Sequence, residues 1–328
     1  MKGLPPVSVV IPVKNGADML GRCLGSLKNA DYPPERLEII VADGMSRDDT
    51  KGVAAGHGAK VVPNDKELVV SGRNRGFEAS AGEIIAFTDA DCVFDKGWLK
   101  ESIKYFDDPK VGGVGGLTLA PEESSAFEKA IDLIFSIAES LGTTVHRKGI
   151  MRAEEADDIP GCNAIYRRAA LAAVMPVDEG LLTAEDVWMN SLIRKAGYRL
   201  ILAPDVILRH YRRNSPAGFF RQAYRFAVGR TQIGKRDAKL MNVFHIVTGL
   251  AIPAFLATGV SFYLAGAQDL FFKIVSLLLA AVILASLFRA RSLKTAINVP
   301  LAIAIFVSGW SLGFLRELLF PMKDVRGK

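Results

Sequence analysis

The sequence predicts an α/β fold with a mostly parallel sheet and helices on both faces, followed by an all-α membrane anchor. Short, β-branched apolar runs alternate with helical patterns over residues 7–91, as in parallel sheets. Three predicted strands end on turn or carboxylate residues, at Asn15, Asp43 and Asp89. Long apolar stretches appear only after residue 240. Because ligands of such sheets bind beyond the carboxyl ends of the strands, the first region carries the candidate site.

The predicted elements follow from hydrophobic periodicity. Buried strands are expected at residues 7–13, 37–42, 59–62 and 84–88, with helices at residues 18–29, 48–56 and 71–80. Residues 124–141 form an amphipathic pattern, interpreted as a core-facing helix or, alternatively, as a wall of an acceptor site. The polar residues 146–158 predict a loop, and residues 187–196 a further helix.

Composition restricts the compartment and the class of protein. The 328 residues are 50% hydrophobic, with a net charge of +6 and a pI of about 9.2. This length suits about two domains. The three cysteines, at positions 23, 92 and 162, have no metal-ligand spacing, which favours a reducing compartment without disulfides. The first residues lack the pattern of a signal peptide, so the first domain is expected in the cytosol.

A basic segment separates the two predicted domains. Between residues 209 and 239, arginines and lysines are numerous, aromatic residues are interleaved, and the only acid is Asp237. Such a composition is typical of the headgroup zone of a bilayer. RNA binding is the alternative, but the position just before the apolar stretches favours lipid. We therefore expect domains at 1–208 and 242–328, joined by a basic amphipathic interfacial segment at 209–241, and no nucleic-acid partner.

Three stretches, residues 243–267, 270–288 and 296–315, are each long enough to span a bilayer. Basic clusters precede the first stretch and follow the second. The positive-inside rule then predicts a multi-pass protein of the cell membrane with its catalytic domain on the cytoplasmic face. A third full span would carry the basic tail, residues 323–328, across the membrane, so the third stretch is either a span or a re-entrant segment.

The Asp89-Ala90-Asp91 sequence at the end of a predicted strand is the first candidate for chemistry. Two carboxylates one residue apart bind a hard divalent ion when the chain turns between them, and oxygen ligands favour Mg²⁺ or Mn²⁺. A solvated turn is the alternative. His210 is a further candidate ligand, or else a structural histidine.

Four motifs in this order resemble the family-2 glycosyltransferases, which have a GT-A fold. They are residues 9–15 (VVIPVKN), 39–50 (IIVADGMSRDDT), 72–76 (GRNRG) and 88–91 (TDAD), and the resemblance extends over residues 7–230. It implies a nucleotide-sugar donor, with a UDP-sugar favoured. The nucleotide-binding residues that it implies are Pro12, Asp43, Ser46, Arg73 and Asp89. The metal ligands that it implies are Asp89 and Asp91.

Three later motifs extend the resemblance. Residues 161–164 (GCNA) match the family segment that borders the donor sugar, which implicates Cys162 and Asn163. Glu185-Asp186 matches the family's catalytic pair, in which Asp186 would be the general base. Acids that stabilise a helix N-terminus are the alternative. Residues 222–226 (QAYRF) resemble the Gln-x-x-Arg-Trp motif of membrane-integrated members, which implicates Arg225 in catalysis and Gln222 in acceptor binding.

The resemblance implies an inverting transfer to a hydroxyl of a polyprenyl-linked glycan at the membrane, as in exopolysaccharide assembly. A polyprenyl-phosphate sugar synthase and a processive polysaccharide synthase are the enzymatic alternatives. A phosphate acceptor is already ionised and needs no general base, so the Glu185-Asp186 pair favours a hydroxyl acceptor. The alternatives outside catalysis are an inactive lipid-binding scaffold and a transporter, although the apolar stretches lack the carboxylates that transporters use.

Overall fold

The computed structural model describes residues 3–140, 151–290 and 292–322. Two compact units account for the chain. The sheet unit comprises Met1–Pro121, Thr144–Leu181 and Glu185–Tyr211. The helical unit comprises Glu122–Thr143, Leu182–Ala184 and Arg212–Lys328. The candidate carboxylates at positions 89, 91 and 186 all lie in the sheet unit, and the apolar stretches lie in the helical unit.

In the described residues of the sheet unit, nine strands form one sheet. They are β1 (Val7–Val13), β2 (Leu37–Asp43), β3 (Lys60–Pro63), β4 (Ile84–Phe87), β5 (Cys92–Phe94), β6 (Val111–Leu119), β7 (Glu154–Ala156), β8 (Ala164–Arg167) and β9 (Arg199–His210). The order is β3-β2-β1-β4-β8-β6-β9-β5, with β7 beside β9. The first four strands of that order are parallel, which confirms the predicted alternation. Beyond β4 the sheet is mixed.

Twelve α-helices accompany these strands in the described residues. The sheet unit has α1 (Ala17–Lys28), α2 (Thr50–Gly56), α3 (Val69–Ala79), α4 (Trp98–Ile103), α6 (Arg168–Ala172) and α7 (Glu185–Lys195). The helical unit has α5 (Ala126–Ser140), α8 (Pro216–Arg236), α9 (Val243–Gly249), α10 (Ala251–Leu264), α11 (Gln268–Ala290) and α12 (Leu293–Leu319). The helices predicted in the first 80 residues are confirmed to within about two residues at each end.

Both faces of the sheet are buried, which explains why its central strands are apolar throughout. Val9 and Ile11 of β1 point into one core cluster, while Val10 between them points into the other. The same alternation divides β4, where Ala86 and Phe87 enter opposite clusters. Because successive side chains of a strand point to opposite faces, two cores follow directly from an uninterrupted apolar run.

The loop predicted for residues 146–158 is partly wrong. Glu154–Ala156 forms β7, which pairs antiparallel with β9. The sequence of β7 is acidic and has no apolar run, so hydrophobic periodicity does not predict it. A short edge strand needs only one buried side chain, and in β7 this is Ala156. Residues 146–150 lie outside the described part of the chain.

Two glycines let α3 approach β1 closely. A Cβ built on Gly72 would lie 2.8 Å from Cβ of Pro12, and a Cβ on Gly76 would lie 2.1 Å from Cγ1 of Val10. Both distances are too short for real atoms, so these positions exclude a side chain. The close approach places Arg73, on the same helix, at the edge where β1 and β4 end.

We expect Gly76→Ala to destabilise the fold by about 1–3 kcal/mol, the usual range for overpacking a tight core. Val10 is fully buried and has no room to move aside. Gly25→Ala is the matched control, because nothing lies within 4 Å of a Cβ at Gly25 in α1. That change should be neutral or stabilising, since alanine favours helix. Chemical denaturation of both variants measures the difference, and equal stability would contradict the close packing.

In the helical unit, α5 packs against α8 and α12. Its apolar stripe faces the interior, where Phe135 lies 6.0 Å from Phe219 of α8 and 6.2 Å from Phe306 of α12 between ring centroids. The core-facing interpretation is therefore confirmed within this unit for the described side chains up to residue 136, and residue 141 lies outside the described part of the chain. Gly313 of α12 permits close contact with α8, because a Cβ there would lie 2.3 Å from the carbonyl oxygen of Tyr224.

The basic segment predicted at 209–241 divides between two elements. Arg209 belongs to β9 and pairs with Asp95 in the sheet unit. Arg212 is buried in the helical unit, where its guanidinium lies 2.9 Å from the Asp132 carboxylate of α5. The rest forms α8, whose apolar side, including Phe219, is buried against its neighbours. Basic side chains at positions 213, 221, 225 and 236 remain exposed.

Two described helices, α11 and α12, are long and apolar enough to cross a membrane. The pair α9–α10 passes the same test together but bends by 52° at its break, so up to three crossings are available. Many large apolar side chains on α10 and α11 are exposed, among them Leu256, Leu277 and Phe288. Apolar surface of this extent marks a membrane or protein interaction site.

Candidate active site

Asp89, Asp91 and His210 form a compact group at one edge of the sheet. Asp89 and Asp91 flank the turn between β4 and β5, and His210 ends β9. Because Cys92 of β5 is paired with His210 of β9, the two strands carry Asp91 beside the imidazole. Nε2 of His210 lies 3.0 Å from Oδ1 of Asp91. One ligand atom from each of the three residues lies within 4.8 Å of the others, so they have the geometry to hold a metal ion.

The protonation of this group reflects its surroundings. Burial raises the pKa of Asp89, and the nearby Arg73 opposes that shift. Burial disfavours the charged imidazole of His210, but the adjacent Asp91 outweighs it and raises the pKa of His210. The protonated imidazolium of His210 lies next to the Asp91 carboxylate and puts a positive charge at the place where a metal cation would bind. Two carboxylate oxygens and an imidazole nitrogen suit Mg²⁺ or, better, Mn²⁺, which tolerates nitrogen.

Arg73 connects the motifs to one another. Its side chain is buried, and its guanidinium lies 2.8 Å from the Glu185 carboxylate, where Nη1 donates a hydrogen bond. Nη2 donates to the carbonyl of Gly161 at 3.0 Å and lies 3.7 Å from Asp89. The Nε–H is buried without a hydrogen-bond partner. Arg73 thus joins the strand-end carboxylate, the 161–164 segment and the Glu-Asp pair, a role that its spacing in sequence did not reveal.

The Glu185-Asp186 pair begins α7, and its two carboxylates have different roles. Glu185 is buried and paired with Arg73. Oδ2 of Asp186 accepts a hydrogen bond from the Gly161 amide at 3.0 Å, and Oδ1 accepts one from the Val187 amide at 2.9 Å. A side chain at position 161 would lie 2.6 Å from that Oδ2. Asp186 is therefore fixed in orientation but less buried than Glu185, which suits a proton acceptor.

The residues implied in nucleoside binding lie at the ends of β1 and β2 and on the loop after β2. Pro12 and Asp43 are buried at adjacent strand ends, and the Ser46 amide lies 3.2 Å from a carboxylate oxygen of Asp43. Lys51 lies 3.5 Å from the same carboxylate. The Asn15 amide donates to Oγ of Ser46 at 2.8 Å, so the two loops are fastened to each other. The structure thus brings Pro12, Asp43 and Ser46 together.

The 161–164 segment contributes mainly to the fold. Asn163 is fully buried; its amide nitrogen donates to the carbonyls of Leu117 and Val206, and its Oδ1 accepts from Nε1 of Trp98 at 2.7 Å. These bonds make Asn163 a link between strands. Cys162 is buried close to Cys92 and His210. The contacts of Cys92, Trp98 and the Gly161 amide could not be predicted, because their partners are remote in sequence and no local spacing indicates them.

Gln222 and Arg225 lie three residues apart on α8, so they share one side of that helix. Both belong to the helical unit. Gln222 is half-buried and Arg225 is exposed. The carbonyl of Arg225 accepts a hydrogen bond from Oγ1 of Thr183 at 2.8 Å, which ties the short segment before Glu185 to α8.

The chain is similar in sequence and in fold to known proteins. Glycosyltransferase AglE of Haloferax volcanii is 28% identical over 76% of this chain and 81% of its own length. A second relative is the dolichyl N-acetyl-α-D-glucosaminyl phosphate 3-β-D-2,3-diacetamido-2,3-dideoxy-β-D-glucuronosyltransferase of Methanococcus voltae. It is 25% identical over 68% of this chain and 72% of its own length. Among solved structures, the mannosyltransferase PcManGT of Pyrobaculum calidifontis, in complex with GDP-Man and Mn²⁺, has the same fold, with a TM-score of 0.66 at 21% identity. That likeness covers 93% of this chain and 87% of the mannosyltransferase.

The family assignment follows from a match that covers half of the chain. Residues 8–175 match the Glycosyl transferase family 2. The matched region contains β1 to β4 and the Asp89-Ala90-Asp91 turn, and the relatives above are named as glycosyltransferases. The chain belongs to glycosyltransferase family 2, with a GT-A-like fold and C-terminal helices apolar enough to span a membrane.

Proposed function

We propose that this enzyme transfers a sugar from a nucleoside diphosphate sugar, a UDP-sugar, to a hydroxyl group of a lipid-linked glycan, with inversion at the anomeric carbon. The observation that carries the proposal is the set of contacts of Arg73, which joins the candidate metal ligand Asp89 to Glu185 and Gly161. Gly161 in turn holds Asp186. Through these contacts the candidate metal group and the candidate base belong to one assembly of hydrogen bonds and ion pairs.

Asp89, Asp91 and His210 would hold Mg²⁺ or Mn²⁺. The bound ion would neutralise the negative charge that develops on the departing diphosphate. The mixed oxygen and nitrogen donor set supports this assignment. Asp43 would accept a hydrogen bond from a ring N–H of the base. Asp43 is buried and already positioned by Ser46 and Lys51, so it would discriminate among bases by a fixed acceptor. In this proposal, Arg73 contacts the nucleotide through its phosphate and also holds Asp89, Glu185 and Gly161 together.

Asp186 would remove the proton from the acceptor hydroxyl. A hydroxyl is a poor nucleophile until a carboxylate takes its proton, and Asp186 is the less buried carboxylate of the pair at α7. The name of the Methanococcus voltae relative describes transfer to a sugar that is itself linked to dolichyl phosphate. A sugar hydroxyl on a lipid carrier is therefore the acceptor class that we propose for this chain.

The helical unit would hold the enzyme at the membrane that contains this acceptor. The exposed apolar faces of α10 and α11 would contact lipid. Lys235 and Arg236 precede the α9–α10 pair, Arg289 lies in the last turn of α11, and Lys294 lies in the first turn of α12. By the positive-inside rule these clusters would face the cytoplasm, which supports our proposal that the catalytic domain is on the cytoplasmic face of the cell membrane. Exposed arginines of α8 would add attraction to anionic headgroups.

A screen by thermal stabilisation tests the donor assignment. The full chain in detergent is heated with UDP-, GDP- and dTDP-sugars in the presence of Mn²⁺, and again with EDTA. We expect a UDP-sugar with Mn²⁺ to raise the melting temperature, because a ligand that binds only the folded state stabilises it by mass action. Stabilisation by a GDP-sugar alone would reassign the base. Equal stabilisation with EDTA would contradict the metal dependence.

A further inference from the structure

Two cysteines that are 70 positions apart meet beside His210. Cys92 begins β5, and Cys162 lies two residues before β8. One ligand atom from each of Cys92, Cys162 and His210 lies within 4.8 Å of the others. All three side chains are buried; Cys92 is 0%, Cys162 is 7% and His210 is 9% exposed. The third cysteine, Cys23, is also fully buried and belongs to the same core cluster as Cys92 and Cys162, but its Sγ lies 3.8 Å from the Asp89 carbonyl oxygen and is not among the ligand atoms that meet here.

This arrangement is fixed by the sheet. Cys92 and His210 are directly paired on β5 and β9. Cys162 is held by the segment whose next residue, Asn163, is anchored to the backbone of β6 and β9. Two of the three candidate ligands therefore lie on paired strands, and the third lies in a turn whose next residue is hydrogen-bonded to the sheet. Sites built on strands keep their geometry better than sites built on loops.

The donor set favours a softer ion than the carboxylate group beside it. Thiolates and imidazole select Zn²⁺, whereas carboxylates suit Mg²⁺ and Mn²⁺. Two sulfurs that share a tetrahedral zinc ion are about 3.8 Å apart, given Zn–S bonds of about 2.3 Å. Ligand atoms within 4.8 Å of one another need to move by only about 1 Å to reach that geometry. Asp91, whose Oδ1 is 3.0 Å from His210 Nε2, is the nearest candidate for a fourth ligand.

We propose that Cys92, Cys162 and His210 form a Zn²⁺ site that shares His210 with the Asp89–Asp91 group. The inference goes beyond the proposed transfer reaction and does not depend on it. Because the same imidazole belongs to both groups, a bound zinc ion removes one ligand from the neighbouring carboxylate site. Zinc is then an antagonist of the hard ion at this edge of the sheet.

Cadmium binding to the full chain in detergent, with a non-thiol reductant, tests the site. Cd²⁺ bonded to thiolates absorbs in the ultraviolet by charge transfer. We expect wild-type protein to develop this absorption on binding one equivalent of Cd²⁺. Cys92→Ser should lose the absorption and bind Cd²⁺ roughly a hundredfold more weakly or worse, since even an outer-shell partner is worth about 10–100-fold in affinity. Cys23→Ala, the matched control, should retain it.

A measurement on the unchanged protein keeps the proposal testable even where Cys92→Ser does not fold. X-ray absorption of the wild-type chain loaded with one equivalent of Zn²⁺ should show two sulfur neighbours and an imidazole nitrogen. A shell of oxygen and nitrogen alone would overturn the proposal. So would a Cd²⁺–thiolate absorption that persists unchanged in folded Cys92→Ser.

Discussion

Asp91→Asn is expected to reduce transfer by about a hundredfold or more, the range associated with losing a preorganised charge at the reacting centre. The amide is isosteric with the carboxylate and can still accept a hydrogen bond from His210, whose Nε2 lies 3.0 Å from Oδ1 of Asp91. The fold should therefore survive while the negative charge that would attract the ion is removed. Initial rates of nucleoside diphosphate release, at saturating Mn²⁺ and donor, measure the loss.

Asp65→Asn is the matched control for that variant. Asp65 is exposed on the turn before α3, and it does not belong to the group of Asp89, Asp91 and His210. Its rate should equal that of the wild type. Full activity of Asp91→Asn in EDTA would show that the reaction needs no ion at this group, and the assignment of Asp89, Asp91 and His210 would be wrong.

Asp186→Asn should slow transfer to a hydroxyl acceptor by about a hundredfold or more, the usual contribution of a general base. An asparagine side chain can keep the hydrogen bond from the Gly161 amide, which is 3.0 Å long in the wild type. The position of the side chain should be preserved while its basicity is lost. Donor binding, measured by thermal stabilisation with a UDP-sugar, should stay near the wild-type value.

Asp157→Asn provides the comparison for this variant. Asp157 is an exposed carboxylate that pairs with Arg194 at the surface, where ion pairs contribute little. Transfer by this control should be unchanged. Wild-type rates for Asp186→Asn would instead favour a phosphate acceptor, which is ionised already and needs no base.

Most of the sheet could be predicted because its first half is local. Each strand from β1 to β4 spans four to seven residues and contains β-branched apolar residues, and a helix follows each of the first three. Burial on both faces makes such runs conspicuous in sequence. The second half is not local. Short strands such as β5 and β7, of three residues each, take their stability from pairing with β9, about 50 to 120 positions away.

The site residues could be predicted individually, but their contacts could not. Asp89, Asp91 and Asp186 lie in short motifs that the family resemblance identifies. Arg73 was predicted as a nucleotide contact, yet its guanidinium is engaged by Glu185 and by the Gly161 carbonyl, both about 90 to 110 positions away. Cys92 and Cys162 are 70 positions apart, whereas the metal-ligand motifs that a sequence reveals place their ligands within a few residues of one another. Only strand pairing brings them together.

The packing of the helical unit was also hidden from the sequence. The apolar stripe of α5 looked like part of the first domain, whereas its partners are α8 and α12. An amphipathic pattern shows that a helix buries one side but does not identify the surface that covers it. For the same reason α8 resembled a purely interfacial helix, although Phe219 and Ala223 on its apolar side are fully buried within the unit.

The central claim is metal-dependent, inverting transfer from a nucleoside diphosphate sugar, and its most direct test is the product itself. The full chain, reconstituted in lipid with an α-linked UDP-sugar, Mn²⁺ and a polyprenyl-linked glycan, should release UDP and form one new glycosidic bond. We predict that NMR of the product shows the β configuration at the transferred sugar, and that EDTA abolishes its formation. A product with retained α configuration, or one formed equally well in EDTA, would contradict the account.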